Sequence, residues 1–319
     1  MNVIIAHNDC DGICAAAVVL SKIKHAKVIF TKPSNLALTL SNQPSNIEAY
    51  ILDLAIDQAF VDDIYSQITR ILGEGGKVTY IDHHPSSVSN EPPCESVIDI
   101  TKSASQLAYE YFYSNSEPPI LEAARIAVYG AIGDLFITDF VEKMFSYLDR
   151  HRVYLEAGIL FAAIDGLERN DFDRMHDIVK LLAAGRSPVE ADWLVTLAIR
   201  QAREEDFFSK RLEKTAQVYK KIAWVEESPI PLGRAAFLVA SRKALPIGVA
   251  GKADNDVTNV SVRVRTYDIQ INDVVSEISR KIGGIGGGHS YACGARIPQG
   301  KLREFVKMLG DALWPSEQE

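Results

Sequence analysis

Short apolar, β-branched runs alternate with helix-like segments through the first 85 residues, and this alternation constrains the fold more than any other feature. "NVIIA" reads as a strand, "GICAAAVVLSKIKH" as an Ala-rich helix, "KVIF" and "AYILDLA" as strands, "FVDDIYSQITRIL" as an amphipathic helix and "KVTYID" as another strand. Strands separated by helices predict a parallel sheet covered by those helices. From about residue 103 to 225 the pattern turns helical, ending in the long charged "RQAREEDFFSKRLEKTAQVYKKI", which reads as a connector. The Pro-rich "VEESPIPLGR" has the texture of a boundary. Beyond it "AAFLVA", "IGVAGKA" and "NVSVRVRTY" look strand-like, followed by helix "INDVVSEISRKI", the Gly-rich "GGIGGGHSYACGARIP" and a closing helix near "KLREFVKMLGDALW". The fold class expected is α/β: a parallel-sheet domain with a helical extension over 1–200, a linker helix over 201–228 and a smaller α/β domain over 229–319.

At 319 residues the chain is long enough for two domains with separate cores. No apolar stretch approaches the ~18 residues of a membrane span, and the N-terminus shows no basic leader or cleavage site. Cys10, Cys14, Cys94 and Cys293 form no C-x-x-C pair, so a reduced, cytoplasmic setting is expected. The net charge of −8 is uneven: residues 226–319 carry 12 Lys and Arg against 11 Asp and Glu, leaving −9 on residues 1–225. That distribution argues against a broad duplex-DNA-binding face. It leaves room for a small anionic substrate held by a few cations.

Four segments place titratable groups where core residues are expected. The first strand ends in "AHNDCDG", with His7, Asp9 and Asp11. "AYILDLA" carries Asp53 among apolar neighbours, "KVTYID" runs into Asp82, His83 and His84, and "VYGAIGDLF" brings Asp134 after a nearly uncharged run. An isolated Asp-His-His would read as a polar loop. Four such segments in one chain read as a cluster around shared cations, because an unpartnered buried charge is costly. Mixed His and Asp donors favour Mn²⁺, Co²⁺, Fe²⁺ or Zn²⁺ over calcium. Six or seven donors exceed what one tetrahedral zinc needs, and two metals sharing a carboxylate fit the number.

"HNDCDG", "LDLAID", "IDHH" and "AIGD" resemble, in order and spacing, the four motifs of the DHH phosphoesterase superfamily, and "GGIGGGHSYACGARIP" resembles the Gly-Gly-Gly-His motif of the DHHA1 domain. The resemblance spans nearly the whole chain; the first motif, His-x-Asp-x-Asp, is closer to RecJ-like or archaeal forms than to many nanoRNase-type members. It implies two divalent metal ions, with Mn²⁺ expected and Mg²⁺ or Co²⁺ as alternatives. His7 and Asp9 would bind one metal, Asp11, His83 and Asp134 the other, and Asp53 would bridge. Asp82 would orient its neighbours and His84 would face the scissile phosphate. In the C-terminal module the resemblance implies substrate binding by Gly286, Gly287, Gly288, His289 and Arg263, with Arg265 two residues on along the same strand face. The two-domain form of the family implies a site in the cleft between modules.

Other residues read more plainly. Cys10, Cys14 and Cys293 look like packed core thiols, and His25, His151 and His176 like surface or satisfied core histidines. Asp57, Asp62 and Asp63 suit a helix start, and Ser103 and Ser105 suit an N-cap more than a phosphate contact. The leading function is a two-metal phosphodiesterase or exonuclease releasing mononucleotides from short single-stranded RNA or DNA oligonucleotides, with polarity open. Alternatives are hydrolysis of a small nucleotide (3′-phosphoadenosine 5′-phosphate, or a linear or cyclic dinucleotide), a RecJ-like single-strand exonuclease, and a non-catalytic nucleic-acid-binding scaffold. No membrane partner is expected, and a homodimer is allowed.

Overall fold

The structure is a computed structural model, and it describes residues 1–315 except 86, 87, 89, 115, 117, 169, 170, 267 and the side chain of His289. Two compact units divide the chain, Met1–Arg200 and Gln201–Glu319.

The first unit is built on β1 (Asn2–His7), β2 (Ala26–Thr31), β3 (Glu48–Leu52), β4 (Lys77–Asp82) and β5 (Glu95–Ile98), all paired in parallel in the order β2-β1-β3-β4-β5. Both faces are covered. Val3 and Ile5 of β1 pack with α2 (Leu36–Ser41) and α3 (Val61–Gly73), whereas Ile4 and Ala6 pack with α1 (Cys10–Ile23), α4 (Ala104–Tyr113), α5 (Leu121–Gly133), α7 (Arg150–Asp165) and α8 (Phe172–Ala183). Burial on both faces is why the strand is apolar throughout rather than alternating. Truncating Ile4 or Ile5 to Ala would cost about 2–5 kcal/mol. In α3 the buried positions Val61, Ile64, Ile68 and Ile71 follow helical spacing, with Asp62 and Asp63 in the first turn as expected. The short α6 (Asp139–Met144) completes the helical layer.

Because β2 and β3 flank β1 on opposite sides, and α1 and α2 cover opposite faces, the sheet changes winding direction at β1. Open α/β sheets bind ligands at that point, beyond the carboxyl ends of the strands. His7, Asp53 and Asp82 lie at the carboxyl ends of β1, β3 and β4. The third strand stops short of the "AYILDLA" reading: it ends at Leu52 rather than reaching Ala55, and Asp53 turns out with a left-handed φ of 57°.

The charged connector differs from the sequence expectation. Helix α9 runs Asp192–Thr215, and the remainder of "AQVYKKI" forms β6 (Gln217–Tyr219) and the start of β7 (Ile222–Val225). The charged residues after Thr215 surround β7, whose four residues are all buried, so burial overrides the helical reading. "AAFLVA" is not a strand; it lies in α10 (Leu232–Arg242), and "VEESPIPLGR" lies inside the second unit. A short apolar run does not distinguish strand from buried helix by periodicity, and its alanines favour the helix. The unit continues with β8 (Ile247–Asp254), β9 (Val257–Val264), α11 (Asn272–Lys281), β10 (Ile285–His289), β11 (Ala292–Pro298) and α12 (Leu302–Leu313). Its mixed sheet has the order β10-β11-β9-β8-β7-β6, parallel only at β7-β8. Ile247, Val249, Val260 and Val262 face α11 and α12, whereas Ala223, Val225 and Ala250 face α10 and the end of α9. No helix among the described residues is long and apolar enough to cross a membrane.

Candidate metal centre

Seven of the residues singled out in the sequence converge in the first unit. Three groups place one ligand atom per residue within 4.8 Å of one another: His7, Asp9 and Asp53; Asp11, His83 and Asp134; and Asp53, His83 and His84. Asp53 and His83 each belong to two groups. His83 Nε2 lies 3.2 Å from Asp53 Oδ1, 3.5 Å from Asp134 Oδ2 and 4.0 Å from Asp11 Oδ2. On the other side, His7 Nδ1 is 2.8 Å from Asp9 Oδ2 and 3.8 Å from Asp53 Oδ2. Asp11, Asp53, Asp82 and His83 are buried, whereas Asp9 and Asp134 are open to solvent.

The local chain explains each placement. Asp9 is the N-cap of α1, its Oδ1 accepting from Gly12 N at 3.0 Å, and Asp11 stands in the first turn, where the helix dipole favours an anion. Asp134 is the C-cap of α5, at the negative end of that helix, where a carboxylate is disfavoured unless a cation joins it. The next residue, Leu135, is exposed and also left-handed, with φ 64°. Phe136 sets its ring 5.1 Å from that of His83, edge on.

Burial pushes the Asp53 carboxyl well above the usual carboxylate range, and the charges of Asp9, Asp11 and Asp82 push it further. Asp11 is also raised, by burial against the opposing effect of His83. Burial holds the His83 imidazole low, toward the neutral form that ligates metals. Asp53 Oδ2 is buried and accepts no hydrogen bond among the described residues. Carboxylates crowded until they resist ionising, a neutral imidazole and a carboxylate oxygen lacking a donor fit divalent cations.

A second chain of contacts runs behind the cluster. Tyr80 donates to Asp82 Oδ2 at 2.7 Å and approaches Leu54 O at 2.8 Å, and Asp82 Oδ1 lies 2.7 Å from His84 Nδ1. Burial works against a charged His84, but the Asp82 carboxylate outweighs it and raises the imidazole's pKa. Those same contacts hold Asp82 below its ordinary value despite its burial. Asp11 is held by the N-terminus of α4: Ala104 N donates to Oδ2 at 2.6 Å and Ser105 N to Oδ1 at 3.1 Å. Ser103 caps that helix, accepting from Gln106 N.

The remaining candidates lie in the second unit. Arg263 is in β9, its Nη1 donating to Ser261 Oγ at 2.8 Å, Val262 O at 3.0 Å and Cys293 O at 3.3 Å. Arg265 stands one residue beyond the end of β9 at Val264; like Arg263 it reaches toward α10, its Nη1 lying 3.5 Å from the carbonyls of Ala240 and Leu245 at that helix's C-terminal end. The glycines divide by role. A Cβ at Gly286 would press on Ser279 of α11, and Gly288 has φ 138° against the carbonyl of Ala292. Gly287 faces open space. The backbone of His289 closes β10, but its side chain lies outside the described residues.

Residues 219–314 match the DHHA1 domain family. Solved structures extend the likeness to the whole chain. RecJ from Thermus thermophilus in complex with Mn²⁺ is 15% identical with a TM-score of 0.68 over 99% of this chain. Residues 219–314 therefore form a DHHA1 domain, and the chain as a whole shares the fold of this RecJ structure.

Two further solved structures align over most of their own lengths. A DHH domain described as belonging to a family of ribosomal proteins is 13% identical with a TM-score of 0.72, covering 99% of this chain and 87% of its own. A pGpG-specific phosphodiesterase from Vibrio cholerae is 16% identical with a TM-score of 0.61, covering 98% and 99%. At these identities the likeness is one of fold. The chain spans about half (52%) of the Thermus RecJ. No curated protein sequence matches it significantly.

The first unit thus gathers His7, Asp9, Asp11, Asp53, His83, His84 and Asp134, with Asp82 bonded to His84. Arg263, Arg265 and Gly286–Gly288 stand in the DHHA1 unit. Sequence reading missed Tyr80 and the backbone of Ala104 and Ser105. Tyr80 carries a usable signal: two residues before Asp82 on one strand, it shares that residue's face. The N–H groups of Ala104 and Ser105 carry none, since their meeting with Asp11 spans more than 90 residues.

Proposed function

We propose that the chain is a two-metal phosphodiesterase that hydrolyses short oligonucleotides to mononucleotides. The observation that carries this reading is the sharing of Asp53 and His83 between donor groups, which suits two neighbouring cations better than one. His7, Asp9 and Asp53 would hold one ion, and Asp11, His83 and Asp134, with Asp53 between, the other. Mn²⁺ is the ion proposed, since mixed imidazole and carboxylate donors suit it. Bound divalent ions supply Lewis acidity at a phosphoryl oxygen and lower the pKa of water.

The chain's own residues supply the rest. His84, its Nδ1–H tied to Asp82 and its pKa raised by that carboxylate, would hold its second proton at Nε2 as the imidazolium and give it to the leaving oxygen. Tyr80 steadies Asp82 from behind. In the DHHA1 unit, Arg263 offers the geometry for a substrate phosphate, the open face of Gly287 permits close backbone approach, and Gly286, Gly288 and His289 complete that motif. The acidic balance of residues 1–225 gives a long polyanion little to bind. Full-length likeness to a dinucleotide phosphodiesterase supports a small-nucleotide substrate as the second reading. Four free cysteines suit a reducing, cytoplasmic setting.

The test is to incubate the Mn²⁺-loaded protein with labelled RNA and DNA of two to about two dozen nucleotides, cyclic dinucleotides and 3′-phosphoadenosine 5′-phosphate, and compare kcat/KM. Efficiency should peak at roughly two to five nucleotides with a shallow salt dependence. A preference for long single strands, lost steeply on adding salt, would move the chain to the RecJ-like class. No turnover of any substrate would favour the scaffold.

A further inference from the structure

Helix α10 lies unusually close to the sheet of the second unit. At Gly248 of β8 an added Cβ would overlap the Ala236 carbonyl and come within 2.9 Å of Ala240 Cβ, so only glycine lets the helix approach this far. Gly248 pairs with Arg263 across the β8–β9 ladder. The same approach brings the first turn of α10 onto the Arg263 side chain. A Cβ at Gly233 would stand 2.8 Å from Arg263 Nη2, 3.3 Å from Cζ and 3.5 Å from Nε.

The guanidinium is therefore bounded on two sides. Its Nη1 is committed to Ser261 Oγ, Val262 O and Cys293 O, while Nη2, Cζ and Nε lie against the bare backbone of Gly233. A methyl group at 233 leaves the guanidinium two courses: to swing off its acceptors or to push α10 from the sheet. The second is opposed by the apolar packing of Ala235, Ala236 and Val239. The side chain, with its rotatable bonds, gives way first.

We infer that Gly233 is a positioning residue for Arg263: its missing side chain sets where the guanidinium stands, and through it how the DHHA1 unit takes a nucleotide phosphate. The inference rests on the proposed phosphate-binding role of Arg263, and the test separates the two. Gly233→Ala, Arg263→Ala and the double variant are made in the full-length, Mn²⁺-loaded chain. AMP binding and thermal unfolding are measured on each. Both single variants should bind AMP about ten-fold more weakly, the scale of one lost hydrogen bond to a charged group. The double variant should bind no worse than Arg263→Ala alone, because Gly233 acts only through the guanidinium. Gly233→Ala should itself keep or raise the Tm, because the flexible guanidinium yields at little cost and alanine favours the helix, so its loss of binding is not a loss of folding. Additive losses in binding, or a fall in Tm that Gly233→Ala causes with or without Arg263, would overturn the positioning role while leaving Arg263 its own. Unchanged AMP binding by Arg263→Ala would overturn the phosphate-binding reading, and the inference with it.

Discussion

Asp53 Oδ1 and His83 Nε2 stand 3.2 Å apart, both side chains buried, at the ends of neighbouring strands β3 and β4. The contact exists because Asp53 leaves β3 in a left-handed conformation, one that a non-glycine residue adopts only at a cost of order 1–3 kcal/mol. Its amide donates to Ile81 O at 3.0 Å, which locks the turn to β4. Strain and a crowded buried carboxylate at one residue mark a site built for something other than stability.

Asp53→Asn should abolish turnover and reduce the bound Mn²⁺ below two per chain. In the metal-free protein the same change should raise stability at neutral pH, because it replaces a buried carboxyl whose ionisation is opposed by burial and by the charges of Asp9, Asp11 and Asp82. Elemental analysis and chemical denaturation check both parts. Near-wild-type activity with two bound ions would sink the shared-ligand reading.

The raised Asp53 and Asp11 carboxyls also set a pH dependence. Without metal, the folded state binds these protons more tightly than the unfolded chain, so their contribution is most favourable below the unfolded value of 3.8 and is lost as pH rises from there through the folded values. Metal binding needs both groups ionised and reverses the trend. The Tm gain on adding Mn²⁺ should grow with pH above about 4, and a gain that does not change with pH would contradict the assignment.

Far from the cluster, Glu156 shows the opposite sign. It is buried, which alone would raise its carboxyl, but hydrogen bonds from Ser187, Tyr129 and Arg152 outweigh this and lower it. Its contribution is present above the unfolded value of 4.5 and lost as pH falls through the folded one. Glu156→Gln should cost about 1–3 kcal/mol at pH 7 and flatten the loss of stability in acid. An unchanged acid limb in urea unfolding would refute this.

Gly130→Ala tests the support of Asp11. The added Cβ would come 2.7 Å from Asp11 Oδ1 and 2.8 Å from Ser105 Cβ, forcing the carboxylate from its seat on α4. A stability loss of about 1–3 kcal/mol should accompany weaker Mn²⁺ binding. Calorimetric titration with Mn²⁺ reads the second effect.

In the DHHA1 unit, Gly286→Ala should destabilise the fold by a similar amount, because its Cβ would stand 3.0 Å from Ser279 Cβ. Gly287→Ala should leave stability within about 0.5 kcal/mol, its Cβ facing open space, and should instead weaken nucleotide binding. Equal Tm losses in the two variants would contradict this division.

Pattern along the chain was enough to dictate the parallel sheet, because strands buried on both faces are continuously apolar and the helix-like segments between them supply the crossovers that parallel neighbours need. It was also enough to mark the titratable residues at the strand ends, since groups like His7, Asp53 and His83 have no reason to follow such runs unless they serve a site. Long-range packing settled what periodicity does not encode. "AAFLVA" became a helix because glycine at 248 lets α10 lie on β8, a contact between residues not adjacent in the chain. The charged connector gave way to β7 because a sheet was there to bury Ile222–Val225. Likewise, the clamp on Asp11 and the seat of Arg263 against Gly233 depend on which backbones meet across long sequence separations. Local pattern fixes which groups are present; only packing fixes which of them touch.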